Sequence, residues 1–263
     1  MPTTTTSHFH GDCKELFPKV SKYVSFEYKE NLTIVNLLED FLSVFQDVDA
    51  LTNIVEIINL IDKSSESKAV LFSISEKSFS PSKAKALWSQ IPDEYIAQES
   101  FVIREEYAFR KLIKQIISIS SPTIFSMQGE VDIIVLSLAL ACDYRIADAS
   151  TSFHNTCKDM DIPIAEGVIY FLLKFIGIAR TKRILMQKKP ITIDLLEAWD
   201  IIDKTLISKE YKKHLETVSL SFTELPTKYF KFIKNGVNNS FSTIDAFFEK
   251  EGKDFFRNLD CKK

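Results

Sequence analysis

The sequence predicts an α/β fold, a largely parallel sheet covered by helices and followed by a helical C-terminal lobe. Three observations lead there. Short β-rich runs alternate with stretches of helical periodicity through the first two thirds of the chain. The segment Ile133 to Cys142 is apolar on every face, which only a sizeable core can accommodate. From about Thr192 onward the pattern becomes helical. At 263 residues the chain can bury roughly 70–75% of its unfolded surface and needs no covalent staples. The division expected is a flexible tail over 1–20, an α/β core over 21–191 and a helical lobe over 192–263.

Taken in order, MPTTTTSHFHGDC lacks the basic start and apolar centre of a secretory signal and reads as a polar tail. Its His8, His10, Asp12 and Cys13 are metal-binding types, but a short cluster with no supporting element is read as part of that tail, and no metal is expected. Tyr23 to Tyr28 and Leu32 to Leu38 form a hairpin around Lys29-Glu30-Asn31. Leu51, Ile54, Val55, Ile58 and Ile61 mark one face of a helix, and Ala69 to Ile74 a strand. Ile103, Tyr107, Leu112, Ile113, Ile116 and Ile117 mark a long amphipathic helix before Pro122. Thr123 to Met127 is a strand, Gln128-Gly129 a turn, Ile133 to Cys142 the buried helix and Tyr144 to Ala147 the next strand. Phe230, Phe232, Phe241, Phe247, Phe248, Phe255 and Phe256 give the lobe more apolar surface than isolated helices bury, which points to docking or a subunit interface.

Composition narrows the function classes. Thirty-three basic and 36 acidic residues give a net charge of -3, so nothing argues for nucleic acid or an anionic membrane as partner. The cysteines Cys13, Cys142, Cys157 and Cys261 form no C-x-x-C pair and suit a reducing compartment, hence a cytoplasmic protein. No apolar stretch approaches the ~20 residues that span a bilayer.

The segment Ser121 to Ala147, SPTIFSMQGEVDIIVLSLALACDYRIA, resembles the enoyl-CoA hydratase/isomerase (crotonase) superfamily. Gln128-Gly129 stands for the family's Asn-Gly, and Leu138 to Ala147 match its Leu-Ala-Leu-Ala-Cys-Asp and Arg-Ile-Ala elements. Phe153, Pro163, Gly167, Ile176, Gly177 and Arg180 extend the similarity. The resemblance implies a crotonase-like ββα superhelix with a helical C-terminal lobe and a homo-oligomer, trimer or hexamer. It also implies an acyl thioester of CoA or acyl carrier protein as ligand, with no other cofactor.

The resemblance also assigns site positions. Ile133, Ile134 and Val135 take the place of the glycine run whose backbone N–H stabilises a thioester oxyanion, so the donors expected are the N–H groups of Ile134 and Lys83. The two hydratase glutamates fall on Ser137 and Cys157, and the CoA-contacting lysine lies near Lys85. Glu166-Gly167 lies one residue from the Glu-Gly with which related isomerases shuttle a proton.

Each position also has a plainer reading. Lys83 and Lys85 belong to a solvated turn, and Glu166 is a first-turn carboxylate facing water and complementing a helix dipole. Ser137 bonds a carbonyl one turn earlier. Cys157 is either a nucleophile acidified by His154 or a buried, inert thiol. Asp132 caps the following helix, and Asp159 and Asp161 sit in a solvated loop.

Hydration needs a positioned base and a matched acid. Isomerisation or decarboxylation is therefore the chemistry expected if the chain is an enzyme, and a non-catalytic scaffold or binding subunit is the alternative.

Overall fold

The hairpin expected around Lys29-Glu30-Asn31 opens the sheet in the computed structural model, which describes residues 11–260. Strand β1 (Val24–Lys29) pairs antiparallel with β2 (Leu32–Leu37). Glu30 and Asn31, at φ 48° and 69°, form the two-residue turn whose twist suits adjacent strands. From β2 the sheet continues in parallel through β3 (Ala69–Ile74), β4 (Thr123–Met127), β6 (Tyr144–Asp148) and β9 (Lys204–Leu206). Among the described residues this makes a six-stranded sheet in the order β1-β2-β3-β4-β6-β9.

Adjacent residues of a strand point to opposite faces, and here both faces are covered. Phe72, Phe125 and Ala147 enter the main core, which holds α2 (Val48–Lys63) and the C-terminal part of α3 (Pro81–Ser118). Leu71, Ile124 and Ile146 enter a smaller cluster with Tyr211 and Leu215 of α8 (Tyr211–Ser221). The stripe Leu51, Ile54, Val55, Ile58 and Ile61 is buried as its period requires, and Asp47 caps α2 by accepting the Ala50 N–H at 2.9 Å. Between β6 and β9, buried Arg145 pairs with Asp203 at 2.5 Å and donates to the carbonyls of Ile201 and Cys142.

Several expectations need correction. The tail assigned to residues 1–20 includes a helix, α1 (Gly11–Val20), whose Phe17 and Val20 are buried, with Phe17 against the Phe26 ring at 5.0 Å. His8 and His10 lie outside the described residues, as does Cys261. The apolar run Ile133 to Cys142 is buried, but only α4 (Val135–Ala139) within it is helical, and tight turns flank it. Tyr107, placed on the apolar stripe of α3, is exposed. A second, three-stranded sheet of β5 (Glu130–Asp132), β7 (Ser152–His154) and β8 (Ile191–Thr192) was not anticipated.

The C-terminal stretch is mostly helical, but residues 204–206 form β9 of the main sheet, so a lobe separate from the core does not begin at 192, and its helices attach in different ways. Helix α10 (Ile244–Asp260) sends Phe248 and Phe255 into the main core. Helix α9 (Thr227–Asn238) is anchored by polar residues instead. Asn238 donates to the Ile117 carbonyl at 2.8 Å, and buried Lys234 reaches Asp143 Oδ2 at 2.6 Å. That same oxygen accepts the N–H and hydroxyl of Thr123, tying α9 to β4 and to the residue before β6.

Replacing Lys234 strands Asp143 at the end of the sheet. Because Asp143 keeps some solvent access, Lys234→Met should cost about 2–4 kcal/mol, near the low side of the range for broken buried pairs. Urea denaturation followed by circular dichroism checks this, and an unchanged midpoint would mean that the pair does not hold the lobe.

Candidate functional site

The loops assigned to oxyanion binding meet at the end of β5, because the Asp132 N–H donates to the Phe79 carbonyl at 2.7 Å, just before α3 begins. Asp132 has no exposed surface, yet it carries a carboxylate. Its Oδ1 accepts the Ile134 N–H at 3.0 Å. Its Oδ2 accepts the Thr156 N–H at 3.1 Å and the Thr156 hydroxyl at 2.6 Å, at the first residue of α5 (Thr156–Asp159). Burial pushes the Asp132 pKa up, while these three hydrogen bonds and nearby His154 pull it down without cancelling the rise.

One consequence concerns the first expected donor directly. The Ile134 N–H is bonded inside the protein rather than directed at a ligand. Ile133, Ile134 and Val135 belong to the main core and are almost wholly inaccessible. The neighbouring Ile133 N–H is also engaged, with the His154 carbonyl at 2.8 Å. Asp132 therefore closes the turn before α4 through the N–H two residues ahead and, against expectation, does not cap the helix, whose N-cap is Ile134 with no side-chain cap bond.

Ser137 is fully buried and its hydroxyl donates to the Ile134 carbonyl at 2.7 Å, the bond expected of a packed serine. Cys157 is buried too, and its thiol pKa is raised well above the ordinary value, first by burial and then by the charge of Asp132. The acidification by His154 that a nucleophilic role requires is opposed here, because a thiolate beside a buried carboxylate has no stabilising cation. Cys142 is likewise buried with a raised pKa, chiefly through burial.

Lys83 lies in the first turn of α3, where helical bonding starts with the Ala84 N–H to the Ser80 carbonyl, so the Lys83 N–H has no acceptor within its own helix. Its ammonium is engaged by the segment before α2: it donates to the Glu39 carbonyl at 2.5 Å and lies 3.2 Å from the Glu39 carboxylate and 3.6 Å from Asp40. Lys85 is exposed on α3, in keeping with the solvated reading.

Glu166, expected to face water, is instead buried at 4% exposure. It takes φ 63°, followed by Gly167 at φ 78°, immediately before α6 (Val168–Met186). Helix α10 covers this turn: Glu251 Oε2 accepts the Gly167 N–H at 2.9 Å. A Cβ at position 167 would lie 2.6 Å from the Phe248 ring, so both the backbone angle and the contact require glycine there. Beside the turn is a cleft of about 390 Å³ whose walls include Pro163, Ile164, Ile169, Phe247, Glu251 and Phe255. Asp159 and Asp161 are exposed, as expected, but Asp159 is the last residue of α5 and only Asp161 lies in the turn beyond it.

Sequence reasoning did not identify the clamp between Asp132 and Thr156 or the contribution of Glu251. An acidic residue before an apolar run signals a local cap, but its second set of partners lies 24 residues away. Among the described residues no group of His, Cys, Asp and Glu side chains is arranged to hold a metal ion, and no helix is long and apolar enough to cross a membrane.

The family model for enoyl-CoA hydratase/isomerase matches residues 49–256. Among solved structures, an enoyl-CoA hydratase from Bacillus halodurans superposes with a TM-score of 0.75 at 16% identity, covering 90% of this chain and 95% of that one. An enoyl-CoA hydratase from Mycobacterium avium subsp. paratuberculosis gives 0.70 at 15% identity, covering 90% and 89%. An enoyl-CoA hydratase/isomerase from Cupriavidus metallidurans gives 0.70 at 12% identity, covering 89% and 87%. At these identities the structures establish a shared fold, which is the ββα architecture expected. No curated protein matches the chain by sequence.

Two measurements probe the buried groups. A carboxyl whose folded pKa is raised loses stability as pH climbs from its unfolded value, near 3.8 for Asp132, towards its folded value. Measured by urea denaturation at pH 4 and pH 7, wild-type stability relative to Asp132→Asn should therefore fall with rising pH, and a rise would mean that the carboxylate is favoured on folding. Cys142 and Cys157 should resist a thiol reagent until the protein unfolds, as read by peptide mass mapping. Rapid native labelling of Cys157 would restore its candidacy as a nucleophile.

Proposed function

The chain belongs to the enoyl-CoA hydratase/isomerase family, and from that premise we propose that it is a binding or scaffold subunit in which the family's oxyanion site has been closed. The observation that carries the proposal is the hydrogen bond from the Ile134 N–H to Asp132 Oδ1, at 3.0 Å beneath fully packed isoleucine and valine side chains. One oxyanion donor contributes about 2.7–4 kcal/mol to transition-state stabilisation when it is preorganised towards the substrate oxygen. A donor already satisfied by a buried carboxylate has to break that bond first, and the freed negative charge then faces the incoming oxyanion. The positions that resemble the hydratase glutamates, Ser137 and Cys157, hold a hydroxyl bonded to backbone and a thiol whose ionisation burial disfavours. Neither supplies the acid–base pair that water addition demands.

A panel of acyl-CoA and acyl-carrier-protein thioesters incubated with the purified chain should show no conversion above the uncatalysed rate. Robust turnover, lost on denaturation and proportional to the amount of protein, overturns the proposal.

A second reading has an observation in its favour: buried Glu166 lies in a turn beside the 390 Å³ cleft. On this reading an acyl thioester has its carbonyl held by the Lys83 N–H and a proton moved by Glu166, which gives isomerisation or decarboxylation rather than hydration. Lys85 is then the residue left to meet a CoA phosphate. On this reading Glu166→Gln abolishes turnover and preserves the far-ultraviolet circular dichroism spectrum. Turnover undiminished in that variant removes Glu166 from the chemistry.

A further inference from the structure

A cavity of about 610 Å³ lies between the C-terminal part of α3 and the first half of α10. That volume falls in the range at which proteins hold small ligands. Among the described residues its walls include none of Lys83, Lys85, Ile134, Ser137 and Cys157, so it is separate from the positions assigned to a thioester. Consecutive residues of a helix are turned by about 100°, and α10 uses this to meet two cavities: Phe247 lines the 390 Å³ cleft and Phe248 lines this one. The buried Phe248 ring forms an apolar wall, and the Arg110 guanidinium stands over it at 5.3 Å from the centroid. Tyr107 brings a second ring to the cavity and is 69% exposed, although Ala108 and Phe109 beside it are buried.

The charges of the wall determine what it suits. Asp245 accepts two hydrogen bonds from Lys114, at 2.8 and 2.9 Å, and Glu249 accepts one from Lys253 at 2.8 Å. Each wall acid is therefore matched by a lysine, and Arg110 and Lys111 add positive charge from α3. Lys111 is exposed and forms no ion pair among the described residues. Two aromatic rings beside a formal surplus of positive charge call for a ligand that is apolar at one end and anionic at the other. A neutral hydrocarbon would leave the cations facing apolar surface, and an inorganic anion would leave the rings unused. A carboxylate matches both the planar guanidinium and the ammonium.

We propose that the cavity between α3 and α10 binds a small apolar carboxylate as the free acid anion, its body against Phe248 and Tyr107 and its carboxylate at Arg110 and Lys111. The inference is independent of whether the protein turns over a thioester, since the cavity shares no wall residue with the positions assigned to that chemistry. Occupancy bridges helices that Lys114 and Asp245 already join across 131 residues of sequence, so the bound anion fastens α10 to the core. A ligand that binds only the folded chain stabilises it.

Isothermal titration calorimetry of the full chain with decanoate, below the concentration at which it forms micelles, tests the site. One saturable site per chain should appear, decanol should bind at least about tenfold more weakly, and inorganic phosphate should not displace decanoate. Lys111→Glu should weaken decanoate binding at least about tenfold, and Tyr107→Ala should weaken it as well. Lys188→Glu, a reversal at an exposed lysine beyond α6, should leave it unchanged. All three variants should keep the wild-type circular dichroism spectrum, since the side chains replaced are exposed. Decanoate should also raise the urea midpoint of wild type and not that of Lys111→Glu. Absence of binding overturns the proposal, as does binding that decanol equals or that Lys111→Glu leaves intact. Displacement of decanoate by decanoyl-CoA would make the cavity part of a thioester site and overturn it too.

Discussion

A carboxylate with no exposed surface must find donors or give up its charge. Asp132 meets that constraint with three donors from two segments, and the geometry around it follows. One oxygen fixes the turn into α4 and the other fixes the start of α5, while its backbone N–H secures the segment leading into α3. Loops that the family resemblance assigns to substrate are thereby fastened to one another. The isoleucines and valine above them complete the closure, since their branched side chains need apolar neighbours and have the core on every side. Polar satisfaction beneath and close packing above are mutually reinforcing: opening the site would expose apolar surface and break a buried hydrogen bond together.

The same logic of buried charge recurs at the far end of the sheet. Asp143 gathers the Thr123 N–H, the Thr123 hydroxyl and the Lys234 ammonium at a single oxygen, and Arg145 joins Asp203 to carbonyls from two segments. Each set links elements far apart in sequence, at places where parallel strands end and backbone groups would otherwise lack partners. The hydrophobic clusters on the two faces supply the bulk of the driving force. The buried ions determine which helix rests on which strand, since a displaced partner leaves a charge stranded.

Legibility in the sequence depended on how local each signal is. The turn at Glu30-Asn31, the stripe along α2 and the fully buried β4 follow from periodicity and turn chemistry, which act over a few residues. The long match from Leu138 to Ala147 located the α4–β6 unit correctly. The plain reading of Ser137 also held, because a small hydroxyl residue in an apolar helix has an acceptor one turn back. What could not be read was tertiary. Nothing near Glu166 indicates that a helix some 80 residues later will cover it, and nothing near Asp132 singles out Thr156. The length of α4 was overestimated because a buried turn and a buried helix are equally apolar. Helix α9 was read as a helix, but not how it attaches: its phenylalanines suggested burial, whereas its lysine and asparagine form the attachment.

The contact between α10 and the Glu166–Gly167 turn bears on the order in which the polypeptide can mature during synthesis. Phe248, Glu251 and Phe255 complete the packing around residues that the ribosome has made roughly eighty positions earlier. Until they emerge, the segment leading into α6 keeps an uncovered acid and an uncovered aromatic cluster. A nascent chain halted before residue 244 is therefore a species that chaperones would hold, while the parallel sheet behind it is already able to form.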